Sequence, residues 1–256
     1  MEIVVASNPT VDIVYTSSGV SRRLGGPIYY ASQALSALHA NARAVGVASL
    51  DVAAELERVL AALGIVAEVI IADATTTFEL DYRTKPRTVK LVRKPSIGIG
   101  KVRGDVVILS PVYDELRNAR VEAKAVVADL QGYLRSSTEP PQADLVHFSQ
   151  DDLVLSLKEL VEFAGRWPTA VYTLGEDGAY VVQRGSIHYV NSARIPVEDV
   201  TGSGDVFLAS LTYLRYVKGL DLLQAVCEAS KYVAGFLKHR RVVRHDFDCT
   251  IQAVQG

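Results

Sequence analysis

Cysteine is almost missing from this chain: Cys227 and Cys249 are the two in 256 residues. They form no metal-ligand spacing and the five histidines are scattered, which argues against a structural zinc site. Neither sign of charge dominates, since 27 Lys and Arg stand against 29 Asp and Glu for a formal net charge of -2. With no block of Lys or Arg either, a nucleic-acid surface is not expected. No apolar run approaches the roughly 20 residues that cross a bilayer. The opening Met1-Glu2-Ile3-Val4-Val5-Ala6-Ser7 has neither the basic start nor the long apolar core of a signal peptide. The expectation is a cytoplasmic protein with no nucleic-acid or membrane partner. What the chain does have is a 49% hydrophobic composition, enough for one large α/β domain.

Near-continuous β-branched runs at 3–6, 44–48, 66–71, 106–109, 125–128, 145–148 and 170–174 read as strands buried on both faces. Between them, 28–38, 52–63, 151–163, 206–216 and 222–237 carry apolar residues at three- and four-residue spacing, the helical pattern. The alternation predicts one doubly wound, mainly parallel α/β domain over 1–256. Two segments, about 11–24 and 74–95, instead alternate polar and apolar residues, as in Thr77-Phe78-Glu79-Leu80-Asp81-Tyr82-Arg83. That is the period of strands with one wet face, and Lys85-Pro86 reads as their hairpin turn. They form either ordinary surface hairpins or a small β-sheet lid over the carboxyl end of the first strand, where open α/β sheets bind ligands.

The richest motif is Asp199-Val200-Thr201-Gly202-Ser203-Gly204-Asp205, running straight into Val206-Phe207-Leu208-Ala209. Glycines around a serine let backbone N–H groups converge, and the helix that follows adds its unpaired amides and positive dipole end, which suits a phosphate. A carboxylate in that loop repels phosphate, so Asp205 suggests a proton-accepting job; a capped glycine turn is the alternative. Other phosphate loops fail. Gly98-Ile99-Gly100-Lys101 is followed by Val102, with no hydroxyl for a metal, and Phe207 stands where a dinucleotide fingerprint needs its third glycine. No serine nucleophile elbow is present.

Three further pieces hold. Asn8-Pro9-Thr10-Val11-Asp12 follows the first strand, putting an amide and a carboxylate where vicinal hydroxyls could be recognised, or simply a turn with a solvated Asp12. Leu24-Gly25-Gly26-Pro27 precedes a helix; paired glycines allow close backbone approach, and Pro27 suits a first helical residue equally well. Tyr172-Thr173-Leu174-Gly175-Glu176-Asp177-Gly178-Ala179-Tyr180 joins two β-rich runs by a tight turn.

In this order the pieces resemble the ribokinase-like sugar kinases, the PfkB family. The resemblance implies ATP-dependent phosphorylation of a hydroxyl on a small sugar, polyol or nucleoside. It makes the backbone of Gly202, Ser203 and Gly204 the anion hole and Asp205 the base, with Asp12, Gly25 and Gly26 on the acceptor. Thr173, Gly175, Gly178 and Thr201 would line the nucleotide, with adenine near Ala229 and Val233. Asp199 would help hold a monovalent cation, K+, in those members that use one. The family's Asn-x-x-Glu motif, tied to Mg2+, is here Ser149-Gln150-Asp151-Asp152, where Asp152 keeps a carboxylate that could act through water. Tyr30 replaces the Asn that many members carry four residues after the second glycine, which points away from ribose and fructose toward an inositol-type polyol or a nucleoside. Tyr30 would then be a wall of the pocket or a core aromatic. The segment Asp129-Leu130-Gln131-Gly132-Tyr133-Leu134-Arg135 follows a buried strand and should face the cleft, with Gln131 toward the acceptor. The helix dipole is expected to hold Asp205 ionised and hence a weak base, tolerable in a loose phosphoryl-transfer transition state. Exposed lid edges suggest a homodimer. Two alternatives remain: a hydroxymethylpyrimidine-type vitamin kinase, a group that lacks the lid, and a non-catalytic ligand-binding or regulatory protein on the same fold. The acceptor and its phosphorylated hydroxyl are not legible in these residues.

Overall fold

The computed structural model describes residues 1–83, 88–197 and 199–254. Among them, ten strands form one sheet in the order β16 (Ile251–Val254), β15 (Ser186–Val190), β14 (Ala179–Gln183), β13 (Thr169–Thr173), β12 (Leu145–Ser149), β11 (Ala125–Asp129), β9 (Val106–Leu109), β1 (Ile3–Ala6), β4 (Ala42–Ala48) and β5 (Val66–Ile71). From β13 to β5 every pairing is parallel, while β14, β15 and β16 add antiparallel strands at one edge. The β-branched runs dictate this: β1 and β9 are buried at every position, as strands covered on both faces must be.

Alternate residues of β1 feed two apolar layers. Ile3 and Val5 pack with Ile28 and Leu35 of α1 (Pro27–Ala37), Leu208 of α5 (Ser203–Thr212) and Phe236 of α6 (Leu222–His239). Val4 and Ala6 face the other side, with Tyr133 of α3 (Gln131–Ser136) and Leu160 of α4 (Leu157–Ala164). Helix α2 (Leu50–Ala62) buries Leu56 and Leu60 beside α1. The polar–apolar segments form a separate four-stranded sheet, β3 (Gly19–Gly25), β2 (Thr10–Thr16), β6 (Thr76–Asp81) and β7 (Thr88–Arg93). Its own small core is Val14, Phe78 and Leu80 with Val112. A short parallel pair, β8 (Lys101–Arg103) and β10 (Arg120–Glu122), completes the strands. The Lys85-Pro86 turn lies outside the described residues.

One expected helix is shorter than its sequence pattern. Residues 151–156 are not helical, although Leu153, Val154 and Leu155 extend the apolar spacing. The helix begins where Ser156 and Glu159 close a capping box, each satisfying the other's backbone amide. The two cysteines, which carry no spacing signal, are joined as a Cys227–Cys249 disulfide. It fastens the segment after α6 back onto that helix, closing a loop of 22 residues; such a link restricts the unfolded chain by about 3 kcal/mol. No helix among the described residues is long and apolar enough to cross a membrane.

Candidate active site

Strand order reverses at β1, which has β4 on one side and β9 on the other. The crevice beyond the carboxyl end of such a strand is where open α/β sheets take ligands. Asp12 lies on β2 soon after β1, Asp129 ends β11, Ser149 ends β12 with Asp152 just beyond it, and Thr173 ends β13. Sheet topology thus collects at one edge residues far apart in sequence.

The glycine loop enters α5 from this edge. Gly202 is the N-cap at φ 83, a left-handed conformation that glycine adopts without strain, and the ring of Tyr30 lies so close that a Cβ there would strike it. The Ser203 N–H turns back to the Val200 carbonyl (3.1 Å), and the Val206 N–H bonds the Gly202 carbonyl (3.0 Å). Gly204 and Asp205 lie between these bonds, in the first turn, where amides have no acceptor within the helix.

Asp205 departs from expectation. Burial, then the charge of Asp129, push its carboxyl well above the ordinary range; Arg135 opposes this, and Asp12 and Asp152 add to it. The expectation of a dipole-acidified, weak base is therefore wrong. Desolvation and neighbouring acids outweigh the helix end, which makes Asp205 a better proton acceptor once ionised.

Three of those neighbours are fixed by hydrogen bonds. Asp129 Oδ2 lies 2.6 Å from His147 Nδ1 and its Oδ1 accepts from the Gln131 N–H at 2.8 Å. His147 Nε2 is 3.2 Å from Thr173 Oγ1, so a polar chain runs Asp129–His147–Thr173 under the loop, with a Gly204 Cβ position only 3.6 Å from the imidazole. Asp152 Oδ2 accepts from the Ser149 amide (2.9 Å) and hydroxyl (2.7 Å), and burial followed by the Asp129 charge raises its pKa. Arg135 donates to the Val112 carbonyl (2.7 Å) and to Gln131 Oε1 (2.9 Å), with its guanidinium 5.4 Å from the Phe78 ring centre.

Asp12 is buried, and a Cβ on Gly25 would lie 2.5 Å from Asp12 Oδ2 and 2.9 Å from Thr10 Oγ1. Only glycine lets the backbone come this close. The Thr10 hydroxyl is buried with no hydrogen-bond partner among the described residues. Tyr30 is nearly buried, edge-on to Tyr29 and Phe236; burial first, then Asp12, raise its phenol pKa, with Asp205 and Asp199 adding and Arg240 opposing. It is a core aromatic whose ring packs against Gly202 of the glycine loop.

Other expected residues are already engaged. Asn8 accepts from the Val47 N–H (2.9 Å) and donates to Thr76 Oγ1 (3.4 Å), tying three strands together. Gln131 is held by Arg135. Gly175 (φ 62) and Gly178 (φ 99) shape the turn after β13, and Thr201 Oγ1 meets Tyr82 Oη at 2.9 Å, joining the small sheet to the glycine loop. Ala229 is fully buried in the core and Val233 is partly buried against it. The outward side of α6 is overlain by the segment after it, through Arg244 to Glu228 (2.8 Å), His245 N–H to the Lys231 carbonyl (3.0 Å), and Val243 against Gly235. Asp199 faces two guanidinium groups, Arg23 Nη1 at 3.1 Å and Arg240 Nη2 at 3.8 Å. No group of three His, Cys, Asp or Glu among the described residues is placed to hold a metal by itself. Asp129 and Arg135 bound the 129–135 segment that the sequence places at the cleft, without a role of their own; His147 escaped the sequence reading, and a histidine inside Leu145-Val146-His147-Phe148, in a strand buried on both faces, was the available signal.

Residues 139–237 match the model described as pfkB family carbohydrate kinase. Over 70 residues the chain is 37% identical to 2-dehydro-3-deoxygluconokinase of Thermoproteus tenax, covering 26% of this chain and 21% of that one. The chain spans no more than about a quarter of the length of the curated relatives it matches. Among solved structures, a pyrophosphate-dependent kinase of the ribokinase family, complexed with a pyrophosphate analog and myo-inositol, superposes with TM-score 0.78 at 17% identity over 93% of this chain and 95% of that one. A fructokinase double mutant of Vibrio cholerae O395 bound to fructose, ADP and potassium superposes with TM-score 0.71 at 18% identity, over 94% and 93%. The chain has the ribokinase fold, and the stretch 139–237 within it is similar to the pfkB carbohydrate kinases.

Proposed function

We propose that this protein transfers a terminal phosphoryl group to a hydroxyl of a small polyhydroxylated acceptor. The observation that carries the reading is Asp205 standing in the first turn of α5, with its pKa raised, across the cleft from buried Asp12. The donor's phosphates sit at Gly202 to Gly204. The acceptor hydroxyl attacks the terminal phosphorus, its proton passes to Asp205, and the bond to the leaving phosphate breaks. Positioning and charge neutralisation supply most of the catalysis in such a transfer. Asp12 accepts hydrogen bonds from two neighbouring hydroxyls, Gly25 lets the chain approach them, and Thr10 Oγ1 offers a further partner. Arg135 is the cation whose field opposes the acids around Asp205, which suits it to the transferred group. Mg2+ bound with the donor would offset phosphate charge, held at Asp152 through water, as magnesium keeps several waters and needs few protein ligands. The small sheet acts as a lid, supported by its contacts to the loop through Tyr82 and Arg23. Exposed Val20, Val89 and Val92 on its strands suit a homodimer, which sedimentation of the purified protein tests.

ATP is the first reading of the donor. The covering of α6 and the burial of Ala229 favour a second: a donor without a base, namely pyrophosphate, as used by the myo-inositol-bound neighbour. One screen decides both points. Sugars, inositols and nucleosides are offered with Mg2+ and either ATP or pyrophosphate, and ADP or orthophosphate release is followed. Phosphorylated product with ATP alone removes the second reading; none with either donor removes the kinase.

A further inference from the structure

A loop that binds a monovalent cation does so with carboxylate and carbonyl oxygens turned toward one point. In this protein the corresponding oxygens face an arginine. Arg240 Nη1 donates to the Asp199 carbonyl at 3.1 Å and Nη2 to the Thr201 carbonyl at 3.2 Å. Asp199 Oδ2 lies 3.8 Å from the same guanidinium and 3.1 Å from Arg23, while Oδ1 accepts the Thr201 N–H at 3.0 Å. Both carboxylate oxygens and both carbonyls therefore already have partners. A cation at this point would have to displace a guanidinium that cannot lose its charge. The residues do not fit potassium.

Arg240 is also held ready. It ends α6 in a left-handed conformation (φ 52), its N–H bonds the Phe236 carbonyl at 2.7 Å, and its guanidinium lies 4.5 Å over the Phe236 ring centre. The planar fork then spans two carbonyls two residues apart, a geometry that a lysine cannot reproduce. Arg23 reaches the same aspartate from β3, so the small sheet contributes to the arrangement.

We propose that Arg240, assisted by Arg23, replaces a monovalent cation as the positioning residue for the 199–204 loop, so that the loop keeps its anion-accepting shape without potassium. The proposal rests on the kinase reading only for its consequence in turnover. A built-in charge has no binding equilibrium, and the loop's state should not vary with the salt around it.

Wild-type, Arg240→Ala and Arg240→Lys proteins are melted, and pyrophosphate binding is titrated calorimetrically, in potassium chloride and in choline chloride of equal ionic strength. The wild type should give the same melting temperature and affinity in both. Arg240→Ala should bind pyrophosphate about tenfold to a hundredfold more weakly in choline, the loss expected of charged hydrogen bonds. Potassium or millimolar guanidinium should restore part of that loss, a response that a merely structural arginine would not produce. Arg240→Lys should lose less and stay indifferent to potassium. A wild type stabilised by potassium overturns the proposal whatever the variants do, and so does a folded Arg240→Ala protein with no response to either cation. Should Arg240→Ala not fold, a potassium-responsive Arg240→Lys protein also overturns it. Failure to phosphorylate any acceptor would instead count against the kinase reading and leave the potassium comparison standing.

Discussion

Glu115 and Asp205 are both acids drawn out of water, and burial is the first cause raising the pKa of each. Their surroundings differ. Glu115 accepts from the amides of Asn8 (3.1 Å), Val112 (2.8 Å) and Tyr113 (2.9 Å), joining the end of β1 to the turn after β9. Asp205 has no hydrogen-bond partner among the described residues and stands in the field of three other carboxylates. A buried acid with its acceptors filled is structure; one left short of donors among like charges is costly to keep and implies a task. Arginine, opposing from Arg135, moderates that cost without removing it.

The largest test of the contrast is Asp205→Asn. Shape and polarity are kept while the proton acceptor is lost, so turnover should fall on the order of 10²–10⁴-fold with donor binding retained. Steady-state rates beside calorimetric titration of the donor separate the two, and near-normal turnover would sink the assigned role. Glu115→Ala should behave in the opposite sense. It orphans three buried amides at about 1–3 kcal/mol for each left unsatisfied, enough to lower the melting temperature by many degrees. Glu115→Gln, which keeps one acceptor oxygen, should lose less. If Glu115→Ala melted like wild type yet turned over slowly, the division between structural and functional acid would be wrong.

Asp12 is the intermediate case, buried like Glu115 and near enough to Asp205 for its charge to raise that carboxyl's pKa. In the proposed role Asp12 accepts charged hydrogen bonds from acceptor hydroxyls, each worth about 1.5–3 kcal/mol, so Asp12→Ala should raise the acceptor KM by at least about tenfold to a hundredfold. The KM for the donor should stay nearly unchanged. An equal loss on both sides would place Asp12 in the support of the glycine loop, through Tyr30, and not on the acceptor.

How much of this was readable depended on whether a signal was local. The parallel strands were legible because double burial demands unbroken apolar runs, and the small sheet because one wet face demands alternation. The glycine loop announced itself through an acid placed against phosphate. Asp129 was placed at the cleft by the strand before it, but its pairing with His147 gave no such notice. Each ends or interrupts an apolar run, and their pairing across β11 and β12 exists only once register brings Asp129 opposite His147. The Asp151 helix start was misread because apolar spacing continued through a loop, whereas Ser156-x-x-Glu159 held the true boundary. The covering of α6 was illegible for another reason: it goes with a disulfide, which two isolated cysteines cannot advertise, and with Arg244 and His245 reaching back to Glu228 and Lys231.

The smallest expected effect concerns stability against pH, and it separates the two acids by sign. The folded pKa of Asp205 is raised, so ionising it costs the folded state more than the unfolded one. Below the unfolded pKa both states hold the proton and no penalty exists. As pH rises toward and through the raised folded value, the penalty grows to its full size. Asp205→Asn removes it, so the variant should melt above wild type at neutral pH, with the gain shrinking as the pH falls through the ordinary carboxylate range. Glu115→Gln shares the sign of the burial effect, but it also gives up charge-assisted bonds to buried amides, which outweigh that relief and should leave it below wild type at neutral pH. Melting curves for the three proteins from acid to neutral pH make the comparison. An Asp205→Asn protein less stable than wild type at neutral pH would mean that the carboxylate is held by donors and is not poised for a proton.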